Sequence, residues 1–153
     1  MKRTISKIAL SAALLLTLGL SSINAGAAPA SGGVEAVTAS FHKDFRQAEL
    51  LATETGKNYT KLTFKMNGTI LFAFYSGNGD LLAVTHNITS NQLPLDLLLQ
   101  LKRDYDGYWI TDLFELNANN NTNYYLTLEN ANSRLTLRSS EGTWETYSKT
   151  NKQ

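Results

Sequence analysis

The sequence predicts an α+β fold, in which helices pack on one face of a single antiparallel sheet of about eight strands. Three observations predict it. Asn67-Gly68 joins two β-rich runs, and this dipeptide between alternating runs is typical of a tight hairpin turn. Val37, Phe41 and Phe45 recur at helical spacing before those runs. The two halves of the chain also align with each other, which predicts a tandem repeat of one helix followed by four strands.

The first 27 residues are typical of a cleaved secretory signal. Lys2, Arg3 and Lys7 precede an apolar run, Ile8–Leu20, which is shorter than the roughly 20 residues that a helix needs to cross a bilayer. Small residues up to Ala27 then supply a cleavage site. The alternative is an uncleaved membrane anchor. Nothing after the predicted cleavage site is apolar for long enough to be a second span.

Cleavage would leave residues 28–33 as a flexible leader and residues 34–150 as one compact domain. It would also remove three basic residues and no acidic residue, so the formal charge changes from +1 to −2. A negative chain without a polybasic cluster is not expected to bind nucleic acid. The chain has no cysteine, which excludes disulfides, thiolate zinc sites, cysteine nucleophiles and a lipid anchor on cysteine.

The central hairpin predicts which side chains share a face. A two-residue turn at Asn67-Gly68 pairs Phe64 with Leu71 and places both on one face. Alternation directs three other apolar side chains of the second strand to the opposite face. That face is then either covered or an exposed patch, unless a bulge or a shifted register buries the three residues. We refer to Ile70, Phe72 and Phe74 as the apolar set.

The first repeat covers about residues 34–88 and the second about residues 93–148. The second begins with a leucine-rich helix that Pro94 introduces. In the strand that follows, Ile110, Phe114 and Leu116 are evenly spaced and are expected on one face. The other predicted elements are a short first strand at Leu50–Thr53, an asparagine-rich loop at Asn117–Asn123, and strands at Tyr124–Glu129, Arg134–Ser139 and Thr143–Tyr147.

The two repeats differ at the positions of the apolar set. The matching residues of the second repeat are Arg134, Thr136 and Arg138, so the predicted face is apolar in one repeat and polar in the other. A structural need that both repeats share would not predict this difference. A partner surface confined to the first repeat would predict it.

Five motifs of turns, caps and core positions follow one another in this order: Val37-x3-Phe41-x3-Phe45, Tyr59-x4-Phe64-x2-Asn67-Gly68, Gly79-Asp-Leu-Leu82, Leu93-Pro94 and Gly107-Tyr-Trp-Ile110. The order resembles the PepSY-like, β-lactamase-inhibitor-like secreted proteins of Bacteroidetes over most of the chain after the signal. This resemblance implies helices on one side of an antiparallel sheet, duplicated in tandem, in the periplasm or outside the cell. It implies no enzymatic activity.

The sequence offers no catalytic or metal-binding constellation. His42 and His86 are its only histidines, and neither has a histidine or cysteine partner at ligand spacing. No nucleophile-elbow motif accompanies the serines. We therefore predict no enzyme, no cofactor and no metal. A hydrolase would require two or more titratable groups that converge in one cleft.

The functional prediction is an exported, non-enzymatic binding or inhibitor-like module, periplasmic or secreted. Its partner, a protein or peptide of the cell envelope, is expected to dock on the helix-free sheet face through the apolar set, whose three side chains are expected to be solvent-accessible. The alternative is a periplasmic binder of a small ligand or carbohydrate, which uses Trp109 and Trp144 in a cleft between the repeats.

Overall fold

The computed structural model describes residues 32–152. The predicted signal peptide, residues 1–27, and residues 28–31 of the predicted leader lie outside this range. The elements in chain order are α1 (Gly32–Asp44), β1 (Glu49–Thr55), β2 (Thr60–Met66), β3 (Thr69–Tyr75), β4 (Leu81–Asn87), a 3₁₀ turn (Ser90–Gln92), α2 (Leu95–Asp104), β5 (Trp109–Ala118), β6 (Asn121–Glu129), β7 (Ser133–Ser140) and β8 (Thr143–Asn151).

All eight strands form one antiparallel sheet in the order β1-β2-β3-β4-β5-β6-β7-β8. Each strand therefore pairs with its neighbours in the sequence. The predicted α+β class and the eight-stranded antiparallel sheet are confirmed, whereas the tandem repeat stays a prediction. β1 and β8 both extend beyond the predicted strands, because each continues to pair with its one neighbour, β2 or β7, over its whole length.

The β2–β3 hairpin has the predicted turn and register. Asn67 and Gly68 have φ values of 51° and 82°, which a two-residue hairpin turn requires at both central positions. Met66 pairs with Thr69 across the turn, and Phe64 pairs with Leu71. Because side chains alternate along a strand, this register places the apolar set on the face opposite Phe64, as predicted.

The predicted asparagine-rich loop is instead a second tight hairpin. β5 runs to Ala118 and β6 begins at Asn121, so only Asn119 and Asn120 connect the strands. Their φ values are 51° and 61°. Asparagine tolerates this left-handed region better than most residues, and a composition rich in asparagine therefore permits a turn as readily as a loop.

Both helices pack on one face of the sheet, which we call the helix-covered face. Val37 and Phe41 of α1 are buried against Leu62, Phe64 and other apolar residues of β2 and β3. Leu101 of α2 belongs to a second buried cluster with leucines of β5, β6 and β7. We call the opposite face the helix-free face, since neither of these two helices packs on it.

A β-bulge in β5 reverses the predicted orientation of its apolar residues. The pairing with β6 shifts between Ile110, which pairs with Leu128, and Asp112, which pairs with Thr127. One extra residue breaks the alternation. Ile110 consequently shares the helix-covered face with Leu128, whereas Phe114 and Leu116 lie on the helix-free face. The expectation that these three residues share one face is therefore wrong.

Candidate docking surface on the helix-free face

The apolar set lies beside a row of polar residues on the neighbouring strand β2. Strand register fixes this arrangement, because directly paired residues of an antiparallel sheet point to the same face. The pairs are Lys65–Ile70, Thr63–Phe72 and Lys61–Phe74. The apolar set is therefore bordered along β2 by two lysines with a threonine between them.

The three members of the apolar set differ in exposure. Ile70 is 42% exposed, as expected, and Phe72 is half-buried. The expectation that Phe74 is accessible is wrong, because Phe74 is 0% exposed. Two neighbouring side chains flank Phe74: the ring of Tyr59 packs edge-on against it with the ring centroids 5.7 Å apart, and Lys61 is its direct partner on β2. The ammonium of Lys61 lies 5.2 Å from the centre of the Phe72 ring.

The turn between β1 and β2 is shaped to hold Tyr59 in this position. The N–H of Gly56 donates a hydrogen bond of 2.8 Å to the carbonyl oxygen of Tyr59. A Cβ atom at Gly56 would come within 2.7 Å of the Tyr59 ring, which is closer than carbon atoms pack. Glycine at this position therefore lets the ring fold back over its own turn.

Aromatic residues continue across the second half of the helix-free face. Phe114 and Tyr125 are directly paired in β5 and β6, and their rings stack with centroids 5.3 Å apart and planes inclined by 10°. Tyr125 also meets Tyr147 of β8 edge-on at 5.9 Å. Sequence reasoning missed these residues because it compared only β3 with β7. The apolar band of this face consists of Ile70, Phe72, Phe74, Phe114, Leu116, Tyr125 and Tyr147.

Ion pairs lie beside and between the apolar residues of the band on β6, β7 and β8. Glu129 contacts Lys152 at 2.8 Å and Arg134 at 3.4 Å, and Arg138 contacts Glu145 at 3.2 Å. The hydrogen bond from Lys152 lowers the pKa of Glu129 below its ordinary value, so this carboxylate is ionised at neutral pH. The polar residues predicted on β7 therefore lie on this face, and Glu129 of β6 and Glu145 of β8 add charges beside them.

Lys61 is an unusual member of this surface. It is only 4% exposed, although lysine is almost never fully buried unless it is paired. Its Nζ donates a hydrogen bond of 3.0 Å to Oε1 of Glu54 on β1. The Glu54 side chain is 55% exposed. A buried ammonium is therefore balanced by one carboxylate that itself lies largely in water.

The two tryptophans proposed for a shared cleft lie far apart. Trp109 pairs with Glu129 on the helix-free face, where the ammonium of Lys152 lies 5.2 Å from its ring centre. Trp144 is on the helix-covered face, and its Nε1 donates a hydrogen bond of 2.9 Å to the carbonyl oxygen of Leu97. Glu129 pairs in turn with Arg134 of β7, whereas Trp144 pairs with Ser139 of the same strand, roughly 17 Å farther along it. The structure therefore does not bring the two indoles together.

Two open depressions mark the surface of the described residues. One, of about 560 Å³, is formed by Leu81–Val84 of β4 and by the β5–β6 hairpin. The other, of about 240 Å³, lies at the end of α2 and includes Tyr105 and Tyr108. Neither Trp109 nor Trp144 lines either depression. The aromatic cleft of the small-ligand hypothesis is therefore not one of these two sites.

The two histidines lie on different elements, His42 on α1 and His86 on β4. The ring of His42 packs edge-on against Phe41, and His86 lies directly opposite Glu115 in the β4–β5 ladder. Among residues 32–152, no three histidine, cysteine, aspartate or glutamate side chains are close enough to hold a metal ion. None of the helices in this range has the length and hydropathy of a membrane span.

Comparisons with known sequences give no match, since neither a protein-family model nor a curated protein matches the chain. Solved structures do match it. A BLIP-like protein from Bacteroides fragilis has a TM-score of 0.65 and 20% sequence identity, with 82% of this chain and 89% of that chain covered. A DUF2874 family protein from Bacteroides uniformis has a TM-score of 0.66 and 15% identity over 75% of this chain and 86% of that chain.

A third similar structure is a protein from Bacteroides eggerthii named "putative periplasmic proteins". It has a TM-score of 0.66 and 12% identity, with 76% of this chain and 87% of that chain covered. At these identities the likeness concerns the fold. The chain therefore has a fold of the BLIP-like kind, which agrees with the β-lactamase-inhibitor-like part of the resemblance seen in the sequence.

Proposed function

We propose that this chain is an exported, non-enzymatic binding module that docks a protein or peptide partner on its helix-free face. The observation that carries the proposal is the apolar band. On the face that α1 and α2 leave uncovered, Ile70 of this band is exposed, Tyr125 and Tyr147 are half-buried, and Phe74 and Phe114 are buried. Apolar side chains that are exposed on an uncovered sheet face commonly mark interaction sites.

The composition of the band supports this role. Protein interfaces are enriched in aromatic residues at their centre and have a polar rim. The band has aromatic residues at its centre, and the ion pairs of Glu129 and Glu54 lie at its edges, whereas Arg138 lies within it, directly opposite Tyr125. The packing of Phe74 beneath Tyr59 also fixes part of the surface before a partner arrives, which reduces the entropic cost of binding.

The proposal also covers the cellular location of the module and its organisation in two repeats. A periplasmic or secreted location is supported by the signal-like start of the sequence and by the name of the similar Bacteroides eggerthii protein. We also propose a PepSY-like domain built from two tandem units, because one helix precedes β1–β4 and a second precedes β5–β8. The similarity to a BLIP-like protein favours a protein as the partner.

The test is a capture experiment with matched variants. The protein without residues 1–27 is immobilised and exposed to an envelope extract of its own organism, in parallel with Ile70→Ser and Leu99→Ser. Leu99 is a suitable control because it is an exposed leucine on α2, away from the helix-free face. We expect a partner that Leu99→Ser retains and Ile70→Ser loses. Equal retention by both variants would contradict docking on the helix-free face.

The small-ligand alternative has less support, because the structure places Trp109 and Trp144 on opposite faces of the sheet. A ligand that stacked on one of these indoles could not reach the other. The helix-free face, in contrast, joins its aromatic residues through direct ring contacts from β5 to β8.

A further inference from the structure

The charges nearest to the apolar set are positive. Lys61 and Lys65 of β2 lie directly opposite members of this set on β3. The carboxylates that face these lysines belong to β1, where Glu54 pairs with Lys61 and Glu49 pairs with Lys65. The acidic residues are thus one strand farther from the apolar set than the lysines are. A segment that covers the apolar set meets ammonium groups first.

Lys61 also has unused hydrogen-bonding capacity. An ammonium has three N–H donors, and within residues 32–152 the one hydrogen bond from this group goes to Glu54. Its Nζ lies 5.2 Å from the centre of the half-buried Phe72 ring. An acceptor that arrives beside Phe72 is therefore within reach of the ammonium.

We propose that the docking partner presents a carboxylate directly beside an apolar side chain. The apolar side chain packs on Ile70 and Phe72, and the carboxylate accepts a hydrogen bond from Lys61. This inference rests on the proposed function and specifies the partner chemistry of that same face. It names a segment of a protein or peptide with an aspartate or glutamate next to a large apolar residue.

Desolvation is the physical reason for the carboxylate. An apolar segment that covered Ile70 and Phe72 would remove the remaining water from the neighbouring Lys61 and from much of Glu54. Two charges that are taken out of water need additional hydrogen bonds to compensate. A carboxylate from the partner supplies a charge-assisted hydrogen bond, whereas a basic group would be repelled by both lysines of β2.

The experiment uses a displayed library of random heptapeptides as the probe. The protein without residues 1–27 is the bait, together with Lys61→Met, Glu54→Gln and Ile70→Ser. Lys43→Met is the matched control, because Lys43 is an exposed lysine in the last turn of α1. All variants are first compared with the parent by circular dichroism and thermal unfolding. If Lys61→Met does not fold, Lys65→Met takes its place.

We expect the parent and Lys43→Met to select peptides with an acidic residue next to a large apolar residue. A selected peptide should bind Lys61→Met more weakly by roughly 30-fold or more, the loss typical when one partner of a buried charge pair is removed. Glu54→Gln should bind the same peptide more tightly, because it removes the internal carboxylate that competes for Lys61. A purely structural ion pair would instead make both substitutions act in the same direction.

The remaining outcomes separate the two proposals. Selected peptides that are apolar without an acidic preference, and that Ile70→Ser no longer binds, would overturn the carboxylate inference and leave the docking face in place. Peptides that bind Ile70→Ser and the parent equally would overturn the docking face itself. Failure to select any peptide would count against both.

Discussion

Phe74 provides a quantitative test of how the helix-free face is built. It is fully buried, although Ile70 on the same strand and the same face is 42% exposed. Truncation of a buried phenylalanine to alanine removes its transfer free energy and leaves a cavity, at a cost of about 3–5 kcal/mol. The edge-on contact with Tyr59, at 5.7 Å, contributes about 0.5–1.5 kcal/mol beyond the buried area. We therefore expect Phe74→Ala to lower the free energy of unfolding by about 4 kcal/mol.

Ile70→Ala is the matched comparison and should cost less than about 1 kcal/mol, as substitutions at exposed positions usually do. The assay is equilibrium unfolding in urea, followed by circular dichroism at neutral pH. A domain of this size has a stability of about 5–15 kcal/mol, so Phe74→Ala is expected to remain folded without denaturant. Equal losses for the two variants would refute the inference that Tyr59 and its neighbours bury Phe74.

Two further predictions concern Tyr75 and the glycine turns. Burial and the hydrogen bond to Asp44 raise the pKa of Tyr75 above its ordinary value of 10.0. The protonated phenol therefore stabilises the folded state fully below pH 10, and this stabilisation is lost as the pH rises further. The free energy of unfolding measured in urea should fall by about 1.4 kcal/mol per pH unit above about pH 10, and less steeply in Tyr75→Phe. Gly79→Ala should lower Tm more than Gly68→Ala. Both glycines have positive φ, so the backbone strain of the two substitutions is similar. A Cβ at Gly79 would also lie 3.0 Å from the carbonyl oxygen of Ala36, whereas a Cβ at Gly68 has nothing within 4 Å.

Local rules were sufficient to predict the β2–β3 hairpin. The dipeptide Asn67-Gly68 specifies the turn, and a two-residue turn leaves only one register for the flanking strands. The pairing of Phe64 with Leu71 follows directly, as does the face of the apolar set. The stripe of α1 was predictable for the same reason, because Val37 and Phe41 repeat at helical spacing and are both buried.

Two features depend on contacts that the pattern of residues does not encode. The bulge beside Asp112 adds one residue to β5, and nothing in the local sequence distinguishes it from regular alternation. Even spacing therefore predicts one face for Ile110 and Phe114, whereas the bulge places them on opposite faces. The burial of Phe74 depends on Tyr59, which reaches it from the preceding turn. Both cases concern tertiary context, which overrides strand patterning.

The order of the sheet bears on how the chain folds. Because every strand hydrogen-bonds only to strands that are adjacent to it in the sequence, the contact order is low for a β-rich protein, and few long loops must close before native contacts form. The longest closure between paired strands joins β4 to β5 around α2. Hairpins on either side of that connection can form early and independently, and docking of the two halves along β4 and β5 is the step expected to limit the folding rate.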